Sequence, residues 1–287
     1  MQGGNHINFA GLDLGSTMTK VAIIDEDAAI IARVESHTGA EHRHLANKVM
    51  EQALEQARLS FAEIAYVVAT GYGRINVPFA DRQITELTCH ARGIASLFPS
   101  ARTALDIGGQ DAKGLKLNSD GKLVQFVMND RCAAGTGRFL EVTAKTLGLE
   151  LQELGNISLK SSGKVNISST CTVFAQQEVI SRLTEGVPIA DIVAGIHHAI
   201  ASRAVGMLRK LQIEPDVVFT GGVAKNAGVV KAVSDNLGYA VLVPEDPLIS
   251  GALGAALLAK EIILKARARG EISPRARSTL GEATFFD

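Results

Sequence analysis

Two short segments of the sequence carry an aspartate, a glycine turn and a lysine in the same order. Residues 11–20 read GLDLGSTMTK and residues 104–113 read ALDIGGQDAK. In both, a glycine follows the aspartate by two residues and a lysine follows that glycine by five. Glycine lets backbone N–H groups approach phosphate oxygens closely, and aspartate carboxylates suit Mg²⁺. Both turns are therefore predicted to bind phosphate.

Each residue of the two turns has an expected role. Asp13 and Asp106 are predicted to hold water ligands of Mg²⁺, and Gln110 to orient an attacking water molecule. Lys20 would add positive charge if it points into a nucleotide cleft. The backbone amides predicted to contact phosphate are those of Gly15, Ser16, Thr17, Gly108 and Gly109.

A third glycine turn lies in VVFTGGVAKN, residues 217–226. A strand, two glycines and a helix in this order would let the backbone lie flat against an adenosine, so Gly221, Gly222 and Asn226 are predicted to bind it. The chain has no G-x-x-x-x-G-K-[ST] motif, which excludes a P-loop ATPase. A plain hairpin or helix start would explain any one of the three turns taken alone.

Two of the three cysteines stand just before predicted helices. Cys132 precedes a helix at 138–148 and Cys171 one at 172–185, and the positive end of a helix stabilises a thiolate. Two thiolates cannot complete a tetrahedral zinc site or a four-iron cluster, but a symmetric dimer would supply four. Two buried structural cysteines are the alternative. Cys89, inside a helical pattern at 84–97, is expected to be a packed thiol.

Composition excludes several classes of protein. The chain has 287 residues, a net charge of −1 and no tryptophan, so no overall field attracts nucleic acid or a membrane surface. No apolar run is long enough to span a bilayer, and no segment has signal-peptide character. Three cysteines are too few for a secreted disulfide framework. We therefore expect a cytoplasmic protein that binds neither nucleic acid nor membrane.

Strands and helices are predicted to alternate, which is typical of an α/β fold with mostly parallel sheets. The predicted strands are 7–14, 21–24, 28–35, 64–69, 103–107, 114–117, 216–220 and 239–243. The predicted helices are 41–58, 84–97, 138–148, 172–185, 190–211, 225–237 and 250–262. The duplicated hairpins predict two related lobes that face each other across a cleft. The expected lobes are 1–103, with the 250–262 helix packed back on it, and 104–249, followed by a basic tail at 263–287.

The three turns and the small-residue segment SGALGAA (250–256) together resemble the acetate-and-sugar-kinase, Hsp70 and actin (ASKHA) superfamily. The resemblance implies that the two lobes are RNase H-like and close over Mg²⁺ and ATP or ADP.

Five segments resemble a narrower family, the activators of 2-hydroxyacyl-CoA dehydratases and the ATPase subunits of benzoyl-CoA reductases. They are DIGGQDAK, NDRCAAGTGRFLE, SSTCTVFAQQEVISRL, ATGYGR and the Cys89-His90-Ala91 segment. The resemblance implies that Cys132 and Cys171 ligate one [4Fe–4S] cluster shared with a second copy or a related ATPase subunit. It also implies that ferredoxin or flavodoxin donates electrons, which ATP hydrolysis drives to a CoA-thioester reductase or dehydratase.

Alternatives stay open at this point. A small-molecule kinase would share the three turns and need no cluster, and an actin-like or Hsp70-like binding module would need no catalysis. Within the narrower family, a freely dissociating activator would be a homodimer of this chain. A benzoyl-CoA reductase subunit would instead pair with a different but related chain.

Overall fold

The computed structural model describes residues 7–129, 132–167, 172–271 and 280. They form two compact units. The first contains the described residues of Met1–Pro99, Asp120–Leu123 and Leu248–Asp287, and the second those of Ser100–Ser119 and Val124–Pro247. The predicted boundary at 103/104 thus falls four residues later than the observed change of unit at 99/100.

The elements of the described ranges are numbered in chain order. The strands are β1 (Asn8–Leu14), β2 (Met18–Ile24), β3 (Ile30–His37), β4 (Ile64–Thr70), β5 (Arg82–Gln83), β6 (Thr103–Ile107), β7 (Ala112–Leu117), β8 (Leu123–Asn129) and β9 (Val217–Thr220). The helices are α1 (His42–Ala57), α2 (Glu86–Leu97), α3 (Gly137–Leu147), α4 (Leu154–Ser158), α5 (Thr172–Thr184), α6 (Ile189–Leu208), α7 (Ala227–Leu237) and α8 (Ser250–Ala268).

Both units contain a sheet with the same strand order. The first sheet has the order β3-β2-β1-β4-β5, with β1 antiparallel to β2 and parallel to β4. The second has the order β8-β7-β6-β9, with β6 antiparallel to β7 and parallel to β9. A single parallel bridge from Val218 to Leu242 stands where the first sheet has β5. The duplicated sequence pattern therefore corresponds to a duplicated α/β arrangement, as predicted.

Small residues let α8 pack closely on the first sheet and on α2. A Cβ atom at Gly11 would collide with the Ala252 carbonyl, and one at Gly254 with the Cys89 carbonyl. Every residue of β1 is buried, which matches its position in the middle of the sheet. This packing fixes the end of β1, where Asp13 lies.

Five elements differ clearly from the sequence predictions, and two of these, the short β5 and α4, had no predicted counterpart. The strand predicted at 239–243 is reduced to the bridge at Leu242, and β8 is an edge strand that the sequence did not predict because its residues are mostly half-buried or exposed. Helix α8 continues to Ala268, beyond the predicted end at 262, because Ile263 and Ala266 are buried. The basic tail predicted at 263–287 therefore begins later, and most of it lies outside the described residues.

Across the described ranges, no helix combines the length and the apolar character needed to cross a bilayer.

Candidate functional site

The first glycine turn joins β1 to β2 and carries a buried ion pair. Asp13, 3% exposed, is the cross-strand neighbour of Lys20, and Lys20 Nζ lies 3.2 Å from Asp13 Oδ2. Lys20 thus neutralises the aspartate. The Gly15 N–H donates to the Met18 carbonyl at 3.1 Å. Gly15 was predicted to contact phosphate, but its amide closes the turn instead, because a tight hairpin needs this bond.

The amides of Ser16 and Thr17 have no acceptor among the described residues. These two N–H groups therefore remain available as the phosphate donors that the sequence predicts. Thr17 uses its carbonyl group, which accepts from the Thr38 N–H at 2.9 Å. The first turn therefore offers two backbone donors beside the Asp13–Lys20 pair.

Two glycines that sequence reasoning did not assign, Gly251 and Gly71, lie against the Asp13 carboxylate, and Gly73 contacts its neighbour Leu14. A Cβ atom at Gly251, in the first turn of α8, would lie 2.8 Å from Asp13 Oδ2, and one at Gly71 would collide with Oδ1. Gly71 has a φ of +84°, and the Gly73 N–H donates to the Leu14 carbonyl at 2.8 Å. These glycines belong to the ATGYGR and SGALG segments, which the sequence analysis noted only as family motifs. Their glycine content was the sequence feature that could have predicted a close approach to the aspartate.

The second turn joins β6 to β7 and repeats the acid–lysine arrangement. Asp106 pairs in register with Lys113, whose Nζ lies 3.8 Å from Asp106 Oδ2 and 2.6 Å from Asp111 Oδ2. Thr220 Oγ1 donates to Asp106 Oδ1 at 2.8 Å. The sequence comparison aligned Lys113 with Lys20 but gave it no role. Its buried ammonium group makes it a member of this site.

Backbone bonds of the second turn differ from the prediction in one respect. The Gly108 N–H donates to the Asp111 carbonyl at 2.9 Å, so this amide closes the turn rather than facing phosphate. The backbone N–H groups of Gly109 and Gln110 donate to no acceptor among the described residues, and the Gln110 side chain is exposed. The exposed carboxamide of Gln110 can reach solvent, as its predicted role with water requires.

The third turn connects β9 to α7. Gly221 has a φ of +88°, and its N–H donates to the Pro247 carbonyl at 2.8 Å. A Cβ atom there would lie 2.7 Å from the carbonyl carbon of Ile107, so only glycine fits. Gly222 begins a short 3₁₀ turn that leads to Asn226. The close backbone approach predicted for Gly221 and Gly222 is thus compatible with their geometry.

Asn226 has a different role from the predicted one. Its Oδ1 accepts the Val229 N–H at 3.1 Å and caps α7, and its Nδ2 lies 3.3 Å from His197 Nε2. His197 Nδ1 lies 2.9 Å from Ser158 Oγ, and burial lowers the pKa of His197 to about 4. The carboxamide is therefore engaged at both ends, which argues against the predicted adenosine contact by this side chain.

Cys132 lies in the loop before α3 and is partly exposed. Asn129 Nδ2 donates to the carbonyls of Cys132 at 3.0 Å and Ala134 at 3.3 Å, and Thr136 Oγ1 donates to Ala133 at 2.7 Å. Cys171, the other predicted ligand, lies outside the described residues, although α5 begins at Thr172 as predicted. These bonds fix the loop while leaving the thiol accessible.

The His, Cys, Asp and Glu side chains of the described residues can be compared with the ligands that an iron–sulfur cluster requires. Within the ranges that the structure describes, no group of three or more His, Cys, Asp or Glu side chains could hold a metal ion. A thiol beside a helix start has the ligand chemistry of an iron–sulfur centre. Cys132 therefore fits a thiolate ligand by its chemistry, and no three-ligand group completes a site around it within the described residues.

Cys89 is a packed thiol, as predicted. It is fully buried in α2 against α8, and burial raises the pKa of its thiol to about 12. A thiol held protonated in this way is a poor metal ligand.

Comparison with known proteins identifies close relatives. The family model of the BadF/BadG/BcrA/BcrD ATPase family matches residues 10–259. The 2-hydroxyisocaproyl-CoA dehydratase activator of Clostridioides difficile is 48% identical over 87% of this chain and 93% of its own length. A benzoyl-CoA reductase subunit of Thauera aromatica is 31% identical over 86% of this chain and 91% of its own.

Solved structures agree with the fold described above. A structure of the activator of the 2-hydroxyisocaproyl-CoA dehydratase from Clostridium difficile with bound ADPNP aligns with a TM-score of 0.86 at 45% identity, over 93% of this chain and 98% of that one. A ROK family glucokinase from Streptomyces griseus aligns with a TM-score of 0.55 at 13% identity, over 88% and 99%. The second likeness concerns the fold alone.

Proposed function

Because this chain belongs to the BadF/BadG/BcrA/BcrD ATPase family, we propose that it is an ATP-driven activator of a 2-hydroxyacyl-CoA dehydratase. It accepts electrons from ferredoxin or flavodoxin and delivers them to the dehydratase at the expense of ATP. The observation that carries this choice is the identity of 48% to a dehydratase activator, against 31% to a benzoyl-CoA reductase subunit. A homodimer of this chain is the corresponding assembly.

ATP binding is assigned to the three turns. In the first unit, the amides of Ser16 and Thr17 are available to phosphate oxygens. In the second unit, the amides of Gly109 and Gln110 are available to phosphate oxygens and the Gly221–Gly222 backbone to an adenosine. Lys20 and Lys113 form ion pairs with Asp13 and Asp106. A relative solved with bound ADPNP supports a nucleotide site in this fold.

Mg²⁺ is assigned to the same turns. Asp13 and Asp106 are buried carboxylates one residue before the ends of their strands, and carboxylate oxygens are the ligands that Mg²⁺ prefers. Each is already beside a lysine ammonium group. A carboxylate in this position suits an ion bound through its own water molecules, as predicted for Asp13.

Cys132 and Cys171 of two copies would hold one [4Fe–4S] cluster, which supplies a low-potential one-electron carrier when bound. The partly exposed position of Cys132 and the buried, protonated thiol of Cys89 support this assignment. Asn129 and Thr136 hold the Cys132 loop by hydrogen bonds to its carbonyls.

The experiment that tests the proposal uses anaerobically purified protein, reduced ferredoxin or flavodoxin and a purified 2-hydroxyacyl-CoA dehydratase component. We expect ATP hydrolysis and ATP-dependent dehydratase activation. Both should fall to background in Asp13→Asn and Asp106→Asn, while the exposed Asp235→Asn control keeps both. Unchanged hydrolysis in the two turn variants would refute the nucleotide site.

A small-molecule kinase is the result that would replace the proposal. Its signature would be colourless, iron-free protein that transfers phosphate from ATP to a metabolite. The glucokinase likeness concerns the fold alone and does not favour this outcome.

A further inference from the structure

The second phosphate turn is bonded directly to the helix that follows Cys132. The Gly137 N–H donates to the Gly108 carbonyl at 2.9 Å, and the Arg138 N–H donates to the Gly109 carbonyl at 2.8 Å. Gly137 and Arg138 are the first two residues of α3, whose leading N–H groups have no partner inside the helix. The turn therefore takes the place of a side-chain cap for α3.

These two bonds fix the direction of the turn's own amides. In a trans peptide the C=O and the next N–H point in opposite directions. Because the Gly108 and Gly109 carbonyls face α3, the N–H groups of Gly109 and Gln110 face away from it. Neither has an acceptor in the described part of the chain. Two adjacent amides of this kind form a concave donor site for an anion, and the same peptides bond α3 on their other side.

A short loop that is held by hydrogen bonds connects Cys132 to the start of α3. Only residues 133–136 separate Cys132 from Gly137. Fully buried Thr136 donates twice to the Ala133 carbonyl, from Oγ1 at 2.7 Å and from N–H at 3.1 Å. Asn129, at the end of β8, donates to the Cys132 carbonyl at 3.0 Å. A displacement of the start of α3 must therefore move the Cys132 backbone or break one of these bonds.

Gly137 is a position where this contact leaves little room for a side chain. A Cβ atom there would lie 3.1 Å from both the Gly108 carbonyl oxygen and Gly109 Cα. A methyl group would therefore push the turn and the helix apart by a few tenths of an ångström. Gly206, on the exposed side of α6, has open space around its Cβ position and provides a matched control.

We propose that Gly137 and Asn129 are positioning residues that couple nucleotide binding at the second turn to the position of Cys132. Phosphate on the Gly109 and Gln110 amides polarises the same two peptides that hold α3, which strengthens their bonds to Gly137 and Arg138. The Cys132 loop is then held more firmly when nucleotide is bound. This inference rests on the proposed ATP site and adds the route by which its occupancy reaches the cysteine.

The test is hydrogen exchange of the full-length, anaerobically purified protein with and without ADP and Mg²⁺. We expect ADP to slow exchange in peptides that cover residues 132–140. In Gly137→Ala the ADP-dependent slowing should be lost while ADP still binds, and in Gly206→Ala it should be retained. A role confined to folding would alter exchange equally with and without nucleotide.

The possible negative results refute different claims. If wild-type protein binds no ADP, the proposed function fails and this inference with it. If ADP binds but exchange at 132–140 is unchanged, only the coupling is refuted. Equal slowing in wild type and Gly137→Ala also refutes it. Should Gly137→Ala not fold, the wild-type comparison alone decides.

Discussion

At the scale of single residues, the two phosphate turns are built on buried acid–lysine pairs. Asp13 pairs with Lys20 and Asp106 with Lys113, each across the two strands of a hairpin. The spacing of aspartate, glycine and lysine predicted the partners because residues equidistant from a tight turn face each other in antiparallel strands. A buried carboxylate without its cation is costly, so each lysine contributes to the fold as well as to the site.

The first prediction concerns Lys20. Lys20→Met leaves the Asp13 carboxylate, whose side chain is 4% exposed, without its ammonium partner. We expect the free energy of unfolding to fall by about 3 kcal/mol, as for other broken buried pairs, measured by urea denaturation at neutral pH. The control, Lys231→Met, removes an exposed pair with Asp235 and should cost at most about 0.5 kcal/mol. Equal effects in the two variants would contradict a buried role for Lys20.

Some residue roles could not be predicted from the sequence. The amides of Gly15 and Gly108 fit the phosphate pattern, yet each closes its own turn. Asn226 fits an adenosine contact, yet it caps α7 and contacts His197, which is 29 residues away in the sequence. Such bonds depend on which way a peptide or carboxamide faces, and residue type and spacing do not determine that direction.

At the scale of elements, the long periodic segments were predictable and the edges of sheets were not. Helices α1, α3 and α5 begin within one residue of their predicted starts, because their buried stripes repeat with the helical period. Strand β8 escaped prediction because it lies at an edge and buries little. Helix α8 was predicted too short because its last turns mix charged residues with the buried Ile263.

A buried histidine joins three of these elements and gives a prediction about pH. His197 in α6 contacts Ser158 in α4 and Asn226 before α7. Burial lowers its pKa from 6.5 to about 4, so below pH 6.5 the unfolded chain binds a proton that the folded chain excludes. The stabilising contribution is present above pH 6.5 and is lost as the pH falls toward 4, at about 1.4 kcal/mol per pH unit.

The measurement is urea denaturation of wild type and His197→Gln between pH 7 and pH 4.5. We expect the loss of stability with falling pH to be clearly smaller in the variant, because glutamine does not titrate. Exposed His44→Gln is the matched control and should keep the wild-type slope. Identical slopes in wild type and His197→Gln would show that the histidine is not held neutral.

At the scale of the whole molecule, the duplicated sheets could be predicted from the sequence of one chain, whereas the proposed cluster depends on the family. The two duplicated sheets were predictable because each repeats one hairpin with one acid–glycine–lysine pattern. The proposed cluster rests on the family resemblance, since the two cysteines of one chain complete no four-thiolate site. Family membership supports the ATP-dependent activator assignment, and the number of cysteine ligands in one chain is the reason for the proposed dimer.

The most direct test of the central claim is iron content and native mass, measured on the same anaerobically purified sample. We predict a dimer with about four iron atoms per two chains, as one [4Fe–4S] cluster requires. Cys132→Ala and Cys171→Ala should lose the iron, whereas Cys89→Ala, which removes a fully buried thiol, should retain it. Full iron content in Cys132→Ala, or a full iron complement in a monomer, would contradict the shared cluster.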